Sequence, residues 1–462
     1  MGIIFLGVKN RCFLQVQVIK MKIQLSDHFS YKKLLKFTFP SIVMMVFTSI
    51  YGVVDGFFVS NFAGKTPFAA VNFITPFLMI LGAFGFMFGT GGSALVSKTM
   101  GEGDREKANR IFSLLVYITV ALGMLVAVLG IVFIRPITKA LGAEGQLLDD
   151  CVVYGRIILI ALPACMLQYE FQSFFVAAEK PQTGLWVTAG AGITNILLDA
   201  LFVGALGWGL IGAAAATAIS QVVGGVVPLL YFFRKNSSLL HLGKTEFDGK
   251  SLFKTCTNGS SELLANVSMS IVGMLYNMQL MRFAGENGVA AYGVLMYVNF
   301  IFISMFIGYV VGLAPVVSYH FGAKNHAELK NLRKKSLFII SFFSIVMFFS
   351  ALVLAKPLSL IFVSYDKDLL DLTVRGFYIF SFSFLFTGIA IFGSSFFTAL
   401  NNGLVSAILS FLRTLVFQVA AVFLLPLVFG IDGIWYSCVV AELMAAVFSI
   451  VFLIALRKKY KY

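Results

Sequence analysis

Twelve apolar runs, each bounded by charged or turn-forming residues, divide the chain. They fall at 37–60, 68–97, 110–133, 154–178, 184–206 and 210–233, then at 256–282, 288–319, 336–356, 374–400, 405–428 and 431–456. Each supplies the ~20 residues that an α-helix needs to cross a bilayer. The longest hydrophilic gap, 234–255, is too short to hold an extramembrane domain. The pattern predicts an all-α integral membrane protein of twelve transmembrane helices. Its divisions are a tail over 1–36, six spans over 37–233, a linker over 234–255, six spans over 256–456 and a short basic tail over 457–462. The short apolar run Ile3 to Val8 is followed by Lys9, Arg11 and Lys20 without a small-residue cleavage site, so no signal peptide is expected. Met21, which opens a polar stretch, is an alternative start.

Composition strengthens this picture. Of the 462 residues 59% are hydrophobic and 12% charged, against roughly a quarter charged in a soluble domain. That excludes most enzyme folds. The net charge of +14 would point to nucleic acid in a soluble chain, but the basic residues sit in short gaps beside apolar runs, where they set topology. Placing both termini inside puts 27 of the 35 Lys and Arg on the inner side, and the gaps 98–110, 234–254, 324–335 and 457–461 are all basic and all inside. A multi-pass protein of the cell membrane with cytoplasmic termini is therefore expected.

Sliding the sequence against itself exposes a duplication. At a shift of 221, Ser49-Ile50-x-Gly52 falls on Ser270-Ile271-x-Gly273, and Phe62-Ala63-Gly64 on Phe283-Ala284-Gly285. Gly91, Gly101 and Gly209 then meet Gly312, Gly322 and Gly430. An even number of spans per half gives both halves one orientation, related by an axis along the membrane normal, which is a transporter architecture.

A charge at the bilayer centre costs at least ~2.5–3.5 kcal/mol, so intramembrane acids are functional candidates. Asp55 lies in the first span, Glu170 in the fourth, Asp199 in the fifth, Glu262 in the seventh and Glu442 in the twelfth. Depth arithmetic at 1.5 Å per residue puts Asp55 and Asp199 in one outer layer. Asn195 is one helical turn before Asp199, and Thr217 comes to a similar depth in the sixth span. Adjacent carboxyls titrate as a coupled pair, and their oxygens with those of Asn and Thr suit a hard cation such as Na+. Proton and Na+ both remain open as the driver, and so does the plainer role of tying helices together. Gln168 and Gln172 share one face of the fourth span as cavity lining, with Glu170 pointing elsewhere; Tyr51, Glu170 and Glu262 complete the cavity candidates. Glu262 could equally cap its helix. Glu442 has no partner that the sequence identifies, and Arg413 is placed to snorkel to the headgroups. Pro40 leaves a carbonyl unpaired and makes the first span easy to bend. Gly82, Gly85, Gly89, Gly91 and Gly92 permit close helix approach.

Other chemistry is not expected. Gly64-Lys65-Thr66 and Gly243-Lys244-Thr245 lack the earlier glycine of a Walker loop, which Val59 and Ser238 replace. The four His have no zinc spacing, and the five Cys no CxxC, so neither disulfide nor metal site is anticipated. A metal motif, a nucleophile with its base, and a catalytic loop are all missing, which argues against an enzyme and against a cofactor.

With Pro40, Val54-Asp55-Gly56-Phe57-Phe58-Val59, Gly101-Glu102-Gly103-Asp104, Asn195-Ile196-Leu197-Leu198-Asp199 and the 6+6 repeat, residues 30–456 resemble the multidrug and toxic compound extrusion (MATE) transporters. The Asp-bearing first span with Asn-x-x-x-Asp in the fifth looks like their DinF-like prokaryotic branch. The resemblance implies that Asp55, Asn195, Asp199 and Thr217 form a cation-linked site in the amino-terminal lobe, that Pro40 is its hinge, and that Gln168 and Gln172 face the same lobe. Gly259-Ser260-Ser261-Glu262 and Tyr169-Glu170-Phe171 depart from the common pattern. The function implied is a secondary antiporter that exports small lipophilic or cationic compounds against H+ or Na+ by alternating access. It would act as a monomer among membrane lipids, with no nucleic-acid partner. The rivals are a flippase of lipid-linked precursors, disfavoured by the scarcity of basic residues within spans, and a narrow-specificity metabolite exporter.

Overall fold

The computed structural model of the protein describes residues 23–364 and 366–462. Ile3 to Val8 and Met21 lie outside them. Every described element is helical. The first half comprises α1 (Tyr31–Phe58), α2 (Lys65–Gly101), α3 (Arg105–Ala140), α4 (Gly145–Ala177), α5 (Pro181–Asp199) and α6 (Gly209–Phe233). The helical stretch Gly249–Gly322 would be over 100 Å long at 1.5 Å per residue, far beyond one bilayer. It breaks at Gly285, where φ is +61°, into α7 (249–284) and α8 (286–322). Then come α9 (His326–Val363) and α10, the pair Lys367–Ser381 and Phe384–Ala399 joined by a 50° bend. α11 starts as Gly403–Phe411 and continues through Phe417–Leu424, and α12 is Ile431–Ala455. The twelve apolar runs thus correspond to twelve spans, the tenth being bent.

The repeat explains where the chain turns. Gly64 and Gly285, one repeat apart, both adopt positive φ, at +102° and +61°; Gly209 and Gly430 do so at +51° and +59°. Side chains rarely adopt that conformation and glycine does so freely, so the same residue recurs at the same hairpins. Asp104 and Asn325, likewise 221 apart, each cap the next helix by accepting a backbone N–H, from Lys107 and from Glu328. Each satisfies one of the orphan donors at a helix start.

Packing then arranges the helices as two six-helix lobes. The largest apolar core draws on both halves, with Phe88, Phe112 and Phe174 joined to Tyr309, Val316 and Phe396. It lies at the end that carries the basic gaps, called here the basic end. Towards the opposite end this core gives way to two separate ones. One holds first-half residues such as Ile74, Leu159 and Leu210, and the other second-half residues such as Tyr276, Leu295 and Trp435.

Where the lobes meet, the contacts repeat by pseudo-symmetry. A Cβ on Gly101 would strike the carbonyl of Tyr319, and one on Gly322 the carbonyl of Lys98. Lys98 and Tyr319 are themselves one repeat apart. Gly91 abuts Thr255 and Gly259, while its counterpart Gly312 abuts Thr38, the counterpart of Gly259. Gly52 and its counterpart Gly273, nearer the opposite end, have nothing within 4 Å. The molecule is closed at the basic end and its lobes part towards the other. Within the first lobe Gly85 and Gly89 press against the backbone of α4 at Met166 and Glu170, so the glycines of α2 serve both α4 and the lobe interface.

Candidate functional site

α1, α5 and α6 bring Asp55, Asn195, Asp199 and Thr217 to one place. The Thr217 hydroxyl donates to Asp55 Oδ1 at 3.3 Å, and Asn195 Nδ2 donates to Thr217 Oγ1 at 3.5 Å. The Asp199 carboxyl interacts directly with that of Asp55. Asp199 is 0% exposed, and neither of its oxygens, nor Asn195 Oδ1, has a hydrogen-bond partner among the described residues. Asp55 is half-buried. Tyr154 of α4, also buried, places its phenol against Thr217 and within interaction range of both acids. The sequence analysis missed it, because one Tyr in an apolar span gives no signal until α4 is known to pack on α6.

Local backbone shapes the site. Both acid-bearing helices loosen into π-turns just beyond the acids, at Val59–Ala63 after Asp55 and at Ala200–Ala205 after Asp199. Such turns leave the ladder out of register and recur at functional sites. Val59, Val203 and Ala213 pack there into a small buried cluster outward of the carboxyls. On the inner side, Tyr51 sits one turn before Asp55, packed on Gly192 and close to Gln168, whose side chain fills the space over Gly224. Gln172 is buried on the same face of α4, its amide atoms unpartnered. Pro40 is buried within an unbroken α1, where it deprives the Lys36 carbonyl of its helical donor.

The arrangement can take up a proton or a cation as well as tie α1, α5 and α6 together. An unpaired charge in a dry interior costs several kcal/mol, so the Asp55 and Asp199 pair needs a proton or a cation. The unfilled oxygens of Asp199 and Asn195, beside Asp55 and Thr217, form an all-oxygen donor set that fits a hard cation and equally accepts protons.

The second lobe differs at matching positions. Tyr276, Val416, Ala420 and Cys438 stand where the repeat aligns Asp55, Asn195, Asp199 and Thr217. Tyr276 donates to Gln418 Oε1 at 2.7 Å and stacks on Tyr292. This counterpart is neutral and internally hydrogen-bonded. The remaining intramembrane charges are elsewhere. Glu170 is 0% exposed and faces Thr119 of α3, not the Gln168 face. Arg413 does not reach out to headgroups: its Nε donates to both oxygens of Glu442, at 3.1 and 3.0 Å, with the two side chains 16% and 6% exposed. Glu442 thus has a partner, and half-buried Glu262 lies within the field of the same guanidinium rather than capping α7, whose cap is Asp248. Opposite charges on consecutive spans were the signal available for this pair.

The MatE family model matches residues 40–201 and again 263–424, once in each lobe. The chain is 26% identical over 434 residues to the multidrug export protein MepA of Staphylococcus haemolyticus, covering 93% of this chain and 94% of that one. It is 23% identical over 432 residues to MepA of Staphylococcus aureus strain MSSA476, with the same coverage. Among solved structures, one described as the outward-facing conformation of a multidrug resistance MATE family transporter superposes with a TM-score of 0.90 at 22% identity, over 96% of this chain and 99% of the other. A transporter from Pyrococcus furiosus, described by the reverse polarity of its binding pocket, gives 0.89 at 21% identity, also over 96% and 99%.

Proposed function

Because this chain belongs to the MatE family, whose members are transporters and not enzymes, we propose that it is a secondary antiporter exporting varied lipophilic or cationic organic compounds in exchange for H+ or Na+. The basic end is cytoplasmic in this reading, because basic gaps are retained inside, and the state described is open to the outside. The observation that carries it is Asp199: a fully buried acid with both oxygens unpartnered, facing a second acid in one lobe only. The names of the export relatives support the substrate class.

In the cycle, the coupling ion enters from outside and is held by Asp55, Asp199, Asn195 and Thr217. Neutralising the pair removes the repulsion between α1 and α5 and lets them close together. Substrate leaves outward as they do. Tyr51 and Gln168, one turn inward of Asp55, transmit the movement along α1 towards Pro40. After the lobes rock, substrate taken up from the cytoplasm expels the ion. A ligand shifts such an equilibrium only through its differential affinity for the two states, and the carboxyl pair supplies that difference.

Ethidium accumulation in everted vesicles, under a pH gradient or a Na+ gradient imposed separately, tests the proposal. Gradient-driven uptake that disappears in both Asp55→Asn and Asp199→Asn is the expected result. Normal export by both variants would overturn the mechanism.

A further inference from the structure

A cavity of about 380 Å³ opens between α10 and α12, at the end of the second lobe opposite the basic one. Its size falls in the roughly 300–1,000 Å³ range of small-molecule sites. Asp371, Arg375 and Tyr378 line it from α10, at i, i+4 and i+7 on one face, and Asp432 and Tyr436 line it from the first turns of α12. The other face of α10 is the buried one, with Thr373, Gly376 and Phe377 turned into the lobe and Gly376 abutting the Trp435 ring. That close approach sets the floor between the two helices and leaves the polar flanks to form the hollow.

Charge in the hollow is left unmatched. Arg375 pairs with Asp432 through Oδ2, and Asp371 joins no ion pair among the described residues. Asp432 Oδ1 is buried and has no hydrogen-bond partner among them. Tyr378 and Tyr436 stand exposed beside these groups, with the Phe429 ring 5.9 Å from that of Tyr436. A free carboxylate oxygen, a second acid and two aromatic rings suit an ammonium that still carries N–H donors. The Arg375 guanidinium, 66% exposed, is the matching group for a phosphate.

Away from the hollow the surface turns apolar. Tyr436, Leu443 and Val447 recur at i, i+7 and i+11 on one face of α12 and all are exposed, as are Tyr378 and Phe382 on α10. The turn Pro426–Phe429 beside it exposes Leu427, Val428 and Phe429. Tyrosines at such a boundary sit at the headgroup level of a bilayer. The repeat does not account for the polar groups. Tyr154, Ile211 and Ala215 stand where it aligns Arg375, Asp432 and Tyr436, and only Asp371 has an acidic counterpart, Asp150. The hollow is therefore a feature of one lobe and not a requirement of the fold.

We propose that this hollow binds the headgroup of a zwitterionic phospholipid with a primary ammonium, its phosphate on Arg375, its ammonium among Asp371, Asp432 and the two tyrosines, and its acyl chains along the apolar face of α12. A phosphate that draws Arg375 outward leaves both Asp432 oxygens to the ammonium. A quaternary ammonium has no N–H to offer them. The bound lipid ties α10 to α12 across the mouth of the hollow. The orientation proposed above makes this a site for the outer leaflet, while binding itself does not depend on the antiport reading.

Native mass spectrometry of the full chain tests this. Protein extracted from bilayers of equal parts phosphatidylethanolamine, phosphatidylcholine and phosphatidylglycerol should retain one phosphatidylethanolamine, at least fivefold over either other lipid. Arg375→Gln and Asp432→Asn should each cut that retention at least fivefold. Arg135→Gln, which breaks the exposed Arg135–Asp149 pair of the first lobe, should leave it unchanged. The lipid preference is read on the unaltered protein, so it decides the matter even where a variant fails to fold. Equal retention of the three lipids, preference for either of the other two, or the same loss in Arg135→Gln as in Arg375→Gln would overturn the proposal.

Discussion

Removing Arg413 should be among the most costly single changes in the second lobe. Its guanidinium is largely buried and bonded through Nε to both oxygens of Glu442, itself 6% exposed. Arg413→Met leaves Glu442 charged, desolvated and unpaired, with Glu262 as a second acid nearby. Breaking a buried pair from one side costs about 3–5 kcal/mol, whereas replacing both partners by apolar groups of similar size is often neutral. Glu442→Gln should cost less than Arg413→Met, because the stranded guanidinium still has Glu262 within its field. Arg413→Met with Glu442→Met should return to within ~1 kcal/mol of the parent, leaving a coupling of about 3 kcal/mol in the double-mutant cycle. Reversible unfolding in mixed micelles reads this directly through the fluorescence of Trp435, which is 1% exposed two turns before Glu442 on α12. If Arg413→Met costs under ~1 kcal/mol, the value for an exposed pair, the guanidinium sits among headgroups and not in a buried pair with Glu442.

Gly322→Val should favour the state open at the basic end, because its side chain would run into the Lys98 carbonyl; faster thiol labelling of a cysteine placed at Ser97, buried in the structure, would register the shift. Thr217→Val removes the hydroxyl that bridges Asn195 and Asp55. One lost hydrogen bond to a charged group is worth about 1.5–3 kcal/mol, so half-maximal transport should need roughly ten times more coupling ion or beyond, with the maximal rate largely kept. Asp27 bears on pH: burial would raise its carboxyl, but the Lys33 hydrogen bond and the Gln24 N–H outweigh that and hold it below 3.8. A depressed carboxyl stabilises the fold above its unfolded pKa and loses that contribution as pH falls through the folded value. The part of the amide protection at Gln24 that Asp27 supplies should therefore be lost only below about pH 4, and Asp27→Asn should abolish that acid-side step in hydrogen exchange.

Legibility differed sharply between the backbone and the side chains. The hairpin glycines Gly64 and Gly285 and the caps Asp104 and Asn325 were visible as a period of 221, because each meets a local demand on φ or on an orphan N–H. Asp55, Asn195, Asp199 and Thr217 were recoverable by depth, since an acid in lipid is costly enough to stand out. Tyr154 was not, and the pairing of Arg413 with Glu442 had only opposite charges on consecutive spans to suggest it. Arg413 counted singly was consistent with snorkelling, and only the rotation of α11 against α12 turned it inward.

The sequence by itself determined the number of spans, their common orientation in two halves, and the layer in which acids sit. Those properties depend on hydrophobic length, on charge asymmetry and on helical rise, all of which add up along the chain. Tertiary packing decided the rest: which face of each helix meets which neighbour, that one core joins the lobes at the basic end while two serve the other, and that Glu328 reaches back to hold residues ahead of α1. The physical reason is that lipid is as apolar as leucine, so burial cannot rank helix faces. Close backbone approach at glycines such as Gly91 and Gly322, and the pairing of polar groups, selected the faces instead, and both exist only once the helices are assembled.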